Sequence, residues 1–226
     1  EPVTVVHFDN HPDWCRFPAT WNCGAWVNRA LELPQVTRVL TLGPTGNDLV
    51  RPELQSANLQ AIADGRLELY PWAAEPSRVW RRYRDTVCSR QVGRHIEWRN
   101  LARQSWPSFL DEIEERLPRT ALWITIDKDV LGPAEATTNW DQGAMPLDHV
   151  LAAVERLARC RRIAGIDVCG EHSRPVFADP VRALIARLDN PPGTEPAAEA
   201  LAVNMRTNAR LIAAFEHALG HAVARP

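Results

Sequence analysis

Asp9, His11 and Asp13 occupy alternate positions in Val5-Val6-His7-Phe8-Asp9-Asn10-His11-Pro12-Asp13-Trp14, directly after an apolar run from Val3 to Phe8. On an extended backbone alternate side chains share a face, and past a strand end the chain can curl so that they converge. Two hard carboxylates and one imidazole suit Mn²⁺, Fe²⁺ or Zn²⁺. Asp-x-His-x-Asp recurs by chance, so the motif gains weight only from a second one. That second motif closes Leu122-Trp123-Ile124-Thr125-Ile126-Asp127-Lys128-Asp129: another apolar run ends in alternate carboxylates, Asp127 and Asp129, with Lys128 turned the other way. Two parallel strands ending at one sheet edge would set both clusters side by side, where open α/β sheets hold their ligands. Five ligands, four of them carboxylates, exceed what one Zn²⁺ ordinarily takes and suit two ions sharing bridging carboxylates.

The elements that must carry these groups follow an αβ rhythm. A helical pattern runs from Ala25 to Leu33, with Val27, Ala30 and Leu31 on one face. Thr37 to Leu42 is a strand ending in a Gly-Pro-Thr-Gly loop, a helix is predicted over Pro52 to Ala63, and Arg66 to Tyr70 alternates as a further strand. Residues 71 to 106 are the least regular part, with Trp72, Trp80, Trp98 and Trp106 among many arginines. This mixture can serve a nucleic-acid surface, but tryptophans packed beneath arginine stems are the expectation here. Pro107 to Leu117 is an amphipathic helix feeding the Asp127 strand, and Pro146 to Leu157 is another, with Leu147, Val150, Leu151 and Val154 buried. Arg162 to Cys169 is the last clear strand, and Ala197 to His221 a long terminal helix. The expected architecture is a single α/β domain over residues 1–226, a parallel sheet flanked by helices on both faces.

Composition bounds the rest. The 226 residues carry a formal charge of −2 with 45 % hydrophobic side chains, which suits one soluble domain and argues against nucleic-acid or membrane partners. No apolar run approaches membrane-spanning length. The five cysteines are scattered without CxxC spacing and suit a reducing cytoplasm.

Asp9-Asn10-His11-Pro12-Asp13, followed far downstream by Asp127-Lys128-Asp129, resembles the ureohydrolase superfamily of arginase, agmatinase and formimidoylglutamase. The resemblance implies an arginase-like three-layer αβα fold and a dinuclear manganese site held by Asp9, His11, Asp13, Asp127 and Asp129, with Zn²⁺ or Fe²⁺ as alternatives. It also implies hydrolysis of a C–N bond in a small guanidino, amidino or related substrate, usually cationic, and admits a homo-oligomer. Asp13 or Asp129 would accept a proton. Where the family reads Asn-x-His-Gly with a proton-shuttling histidine, this chain keeps Asn22 and Gly24 but has Cys23 before the glycine, so the resemblance implies Asn22 as a substrate contact and puts a thiol in the shuttle's place. Cys23 is then either a degraded shuttle or a small apolar filler, and His172 is either its replacement or an exposed loop residue. The family's glutamate for the substrate cation falls one position from Glu171. The loop of Asn139, Trp140, Asp141 and Gln142 matches the one lining the family's site mouth.

The family's first ligand is a histidine one strand before Asp-x-His-x-Asp. The expectation is therefore a longer natural chain, weak or single-ion occupancy in these 226 residues, and an uncovered apolar edge between Val3 and Phe8. His7 lies on the Asp9 face but deeper, which suits a supporting histidine better than a ligand. Two rivals stand beside this reading: a mononuclear zinc amide deacetylase on the same scaffold, and a degenerate member that binds metal or ligand without turnover.

Overall fold

The computed structural model describes residues 1–16, 22–172, 177–189 and 197–223. In chain order the elements are β1 (Val3–Phe8), α1 (Trp26–Glu32), β2 (Val36–Leu42), α2 (Leu59–Ala63), β3 (Leu67–Tyr70), β4 (Ser77–Arg78), β5 (Ser89–Val92) and β6 (His95–Trp98). They continue with α3 (Trp106–Arg116), β7 (Ala121–Asp127), α4 (Leu147–Cys160), β8 (Ile163–Cys169), α5 (Pro180–Asp189) and α6 (Ala197–Val223). The main sheet has the order β3-β2-β1-β7-β8, parallel throughout. Consecutive residues of β1, β2 and β3 are buried on both faces, as parallel strands covered by helices on each side must be. The three-layer expectation holds.

The expected bare edge at Val3–Phe8 is overturned. β1 is the central strand, paired with β2 on one side and β7 on the other, and Val5, Val6 and Phe8 are core. The edge strands are β3, which is buried, and β8, whose later residues are exposed among the described residues. Two further expectations need correction. The predicted helix over Pro52–Ala63 is broken into a 3-10 turn at Pro52–Gln55 and the short α2, because Ser56 takes a left-handed φ of 57° between them. The irregular stretch 71–106 contains a small antiparallel sheet, β4-β6-β5, missed because its strands are at most four residues long. Trp98 and Trp106 are buried there, but Trp80 is exposed rather than packed under arginine stems.

The helices are amphipathic where the period predicted it: Phe109, Leu110 and Ile113 of α3 and Leu147, Val150, Val154 and Leu157 of α4 are buried. Register decides the rest. His7 stands beside Thr41 and Thr125, Phe8 beside Leu42 and Ile126, and Asp127 beside Cys169. Three strands therefore release their chains at one level of the carboxyl edge.

Candidate metal centre

Asp9 still belongs to the strand by its backbone, since its N–H bonds the Leu42 carbonyl at 3.2 Å. The chain then folds over it. His11 N–H donates to Asp9 Oδ1 at 2.6 Å, and Asp13 adopts φ 48°, a left-handed conformation that asparagine and aspartate tolerate best among non-glycine residues. This curl returns the Asp13 carboxylate toward the sheet, where Trp26 Nε1–H donates to Oδ2 at 2.7 Å. Trp14, fully buried, anchors the far end of the turn, its carbonyl accepting from Asn28 and from the Asn58 N–H.

The β7 end closes differently. Asp127 caps a 3-10 turn, Lys128–Val130, by accepting the Asp129 N–H at 3.0 Å. Asp129 crosses to the first motif: Oδ1 accepts the Asn10 N–H at 3.0 Å and Oδ2 lies 2.9 Å from His11 Nδ1. Asn10 ties in two more loops, donating to the Asp141 carbonyl at 2.8 Å and accepting the Thr45 N–H at 3.1 Å. Gly170, at φ 80°, permits the β8 chain to leave close by; a Cβ there would sit 2.2 Å from Asp127 Oδ1.

Among the described residues two groups of ligand-capable atoms lie within 4.8 Å of one another: Asp9, His11 and Asp129, and His7, Asp9 and Asp13. Asp9 is common to both. Asp127 belongs to neither, its oxygens facing the Asp129 N–H and the Cys169 thiol at 3.3 Å.

These carboxylates are too many for their surroundings. Burial, reinforced by the charge of Asp9, pushes Asp13 well above the usual carboxylate range and raises Asp127 as well. Burial also lifts Asp129 to about 7, the charges of Asp9 and Asp127 adding to it against the His11 hydrogen bond. Asp9 alone runs the other way: burial would raise it, but His7 and His11 outweigh that and hold it well below normal. His11, although burial disfavours its charge, is held protonated up to about 11 by Asp129 and Asp9. An array of buried oxygens needing that much neutralisation fits a divalent cation, whose charge would remove the penalty on each carboxylate at once.

The other sequence candidates are placed as follows. Trp140 is partly exposed, with its ring 6.2 Å from the His11 ring. Asp141 is exposed and Asn139 half-buried in the same loop, and Gln142 pins that loop by donating to the Lys128 and Leu131 carbonyls. Asn22 precedes the 3-10 turn Cys23–Ala25, and both Asn22 and Cys23 are exposed, so Cys23 is no apolar filler. His172 is half-buried rather than exposed, with Nδ1 lacking a hydrogen-bond partner.

Glu171 is spoken for. Oε1 accepts from Lys128 Nζ and from Asn208 at 2.8 Å, and Oε2 accepts from Asn204 at 3.0 Å. Burial would raise its pKa, but the Asn208 and Lys128 contacts lower it. Lys128 is fully buried and also donates to Asn208 Oδ1 at 2.9 Å. Sequence reasoning missed this cluster; the signal was a lone lysine between two strand-end carboxylates, opposite in direction by strand alternation.

No protein-family model matches the sequence. An uncharacterized protein of Thermotoga maritima is 22 % identical over 170 residues, covering 75 % of this chain and 48 % of that protein, so the chain spans about half the length of the curated relative it matches. Formimidoylglutamase of Bacillus subtilis superposes over 100 % of this chain and 55 % of its own, with a TM-score of 0.57 at 13 % identity. Arginase of Bacillus cereus does so over 100 % and 64 %, with a TM-score of 0.56 at 13 % identity. Proclavaminate amidino hydrolase of Streptomyces clavuligerus covers 75 % and 46 %, with a TM-score of 0.51 at 16 % identity. The fold is arginase-like.

Proposed function

We propose that this arginase-like domain is the metal-binding part of a ureohydrolase-type hydrolase cleaving a C–N bond in a small guanidino, amidino or related linear substrate. One observation carries the reading: Asp129 comes from a different strand end than Asp9 and His11, yet the ligand atoms of all three lie within 4.8 Å of one another. The preferred ions are two Mn²⁺, held by Asp9, His11, Asp13, Asp127 and Asp129, with hard oxygen donors favouring Mn²⁺ over a thiolate-seeking metal. Divalent ions in such a site lower the pKa of water and polarise the trigonal carbon's substituents.

The chain's own groups do the rest. Asp9 and Asp129 fix the His11 imidazole between them. Asp129, whose Oδ2 lies 2.9 Å from His11 Nδ1, and Asp13 are the proposed proton acceptors. Trp140, Asp141, Asn139 and Asn22 are the proposed substrate contacts. All five cysteines are in the thiol form, the form a cytoplasmic setting maintains, and a homo-oligomer is compatible with the exposed β8 edge.

Glu171 reaches a substrate cation only by giving up Lys128. That pairing favours a second reading, in which the domain binds metal or ligand without turning over cationic ureohydrolase substrates. The test is metal content and activity together. Wild type is expected to retain Mn²⁺ through gel filtration and hydrolyse a member of a guanidine, amidine and amide panel, and Asp9→Ala and Asp129→Ala to lose both. Unchanged metal content in both variants would sink the metal assignment; metal retention with no turnover across the panel would select the second reading.

A further inference from the structure

His7 is one strand residue pair behind Asp9 and yet touches it: Nε2 lies 2.7 Å from Asp9 Oδ2. An ionised carboxylate oxygen only accepts, so this distance places the ring proton on Nε2. The opposite nitrogen, Nδ1, lies 3.2 Å from the Thr41 hydroxyl on the neighbouring strand, where register sets Thr41 directly beside His7. The ring is 1 % exposed and packs edge-on against Trp26, with centroids 4.8 Å apart. Trp26 in turn donates its own N–H to Asp13 Oδ2 at 2.7 Å. Two ring N–H donors, stacked at right angles, thus stand behind two ligand carboxylates.

We propose that His7 is a positioning residue and not a metal ligand: Thr41 fixes its tautomer, and its Nε2–H, together with the Trp26 N–H, aims the Asp9 and Asp13 carboxylates at the ions. Asp9 is held at both oxygens, Oδ2 by His7 and Oδ1 by the His11 N–H, and a carboxylate oxygen that accepts one hydrogen bond keeps a second lone pair for a ligand bond. Partners of this kind raise metal affinity by restricting the ligand's orientation, and their loss typically costs about 10- to 100-fold. His7, Asp9 and Asp13 also lie close enough together to share an ion, so the ligand alternative is concrete and the two roles differ in what they predict.

This inference rests on the metal-binding reading. The experiment is calorimetric Mn²⁺ titration of chelator-stripped protein for wild type, His7→Ala, His7→Gln, Thr41→Val, Trp26→Phe and Asp9→Ala. A positioning His7 gives His7→Ala the wild-type number of ions with about 10- to 100-fold weaker binding. His7→Gln, which keeps an N–H donor at similar reach, recovers most of the affinity, and Thr41→Val and Trp26→Phe weaken it without changing the number. Loss of one whole ion in His7→Ala that Gln does not restore makes His7 a ligand and overturns the inference. Wild-type affinity in His7→Ala, Thr41→Val and Trp26→Phe, with Asp9→Ala impaired, overturns it as well. Should His7→Ala fail to fold, the Thr41→Val and His7→Gln titrations decide alone. Wild type binding no ion, or Asp9→Ala binding as wild type does, removes the metal reading itself, a result distinct from either failure of His7.

Discussion

His11 and Asp129 meet across the sheet edge under opposing influences: at His11 the two carboxylates outweigh burial, while at Asp129 burial and the charges of Asp9 and Asp127 outweigh the His11 contact. Both are raised, His11 to about 11 and Asp129 to about 7. A group with a raised folded pKa contributes stability that is complete below its unfolded value and lost as pH rises through the folded one. For Asp129 that loss runs from about pH 4 to about 7, and for His11 from the neutral range up to about 11. Metal-free protein should therefore lose stability from these two groups as pH increases, while a cation relieves the penalty and competes with fewer protons. The expected outcome is a larger Mn²⁺-induced rise in Tm at about pH 8 than at about pH 6. Differential scanning fluorimetry with and without Mn²⁺ checks this, and an equal or reversed shift would contradict it. The motif aspartates were legible in the sequence from residue type and spacing. Their unequal pKa values were not, because each depends on which other charges the fold brings beside it.

Two elements set the shape of the edge without supplying a ligand. Gly170 ends β8 at φ 80°, with Asp127 Oδ1 and the Lys128 N–H where a Cβ would go. Gly170→Ala is expected to cost about 1–3 kcal/mol from backbone strain alone, and to weaken Mn²⁺ binding because the clash falls on Asp127. Urea denaturation and metal titration read these two effects separately. The helix α6 is fastened to the same edge by Asn204, Asn208 and Thr207, which bond Glu171, Lys128, the Thr137 backbone and the Glu135 carbonyl. Lys128 is the enclosed partner of its pair, while the Glu171 side chain is 52 % exposed. Removing the glutamate strands a buried ammonium; removing the lysine leaves a carboxylate that water can reach. Glu171→Gln should thus cost about 2–4 kcal/mol and Lys128→Met distinctly less. Equal losses in urea denaturation would mean that Lys128 is not dependent on Glu171.

For the molecule as a whole, the sheet is buried at its centre, and β8 is its more exposed edge among the described residues. Phe8, buried between β2 and β7, should cost about 3–5 kcal/mol when cut to alanine. Val168, more than a third exposed on the edge strand, should change stability by no more than about 0.5 kcal/mol as threonine. Urea midpoints for the two variants test whether β1 is central. By itself the sequence determined the strands of the parallel sheet, the longer amphipathic helices, the two acidic strand ends and their common edge, because period, apolar runs and strand-end carboxylates are local patterns; the break at Ser56 and the short strands β4, β5 and β6 left no such pattern. It misjudged β1 as an edge because strand order depends on which crossover neighbours arrive from far along the chain, and no local pattern encodes that. Tertiary structure alone decided that Asp9 is shared between two ligand groups while Asp127 stands outside both, and that Lys128 is buried on Glu171. These outcomes depend on register, on the left-handed turn at Asp13 and on α6 closing over the edge. Each is a contact between residues tens of positions apart, made only when the packed sheet fixes where both chains emerge.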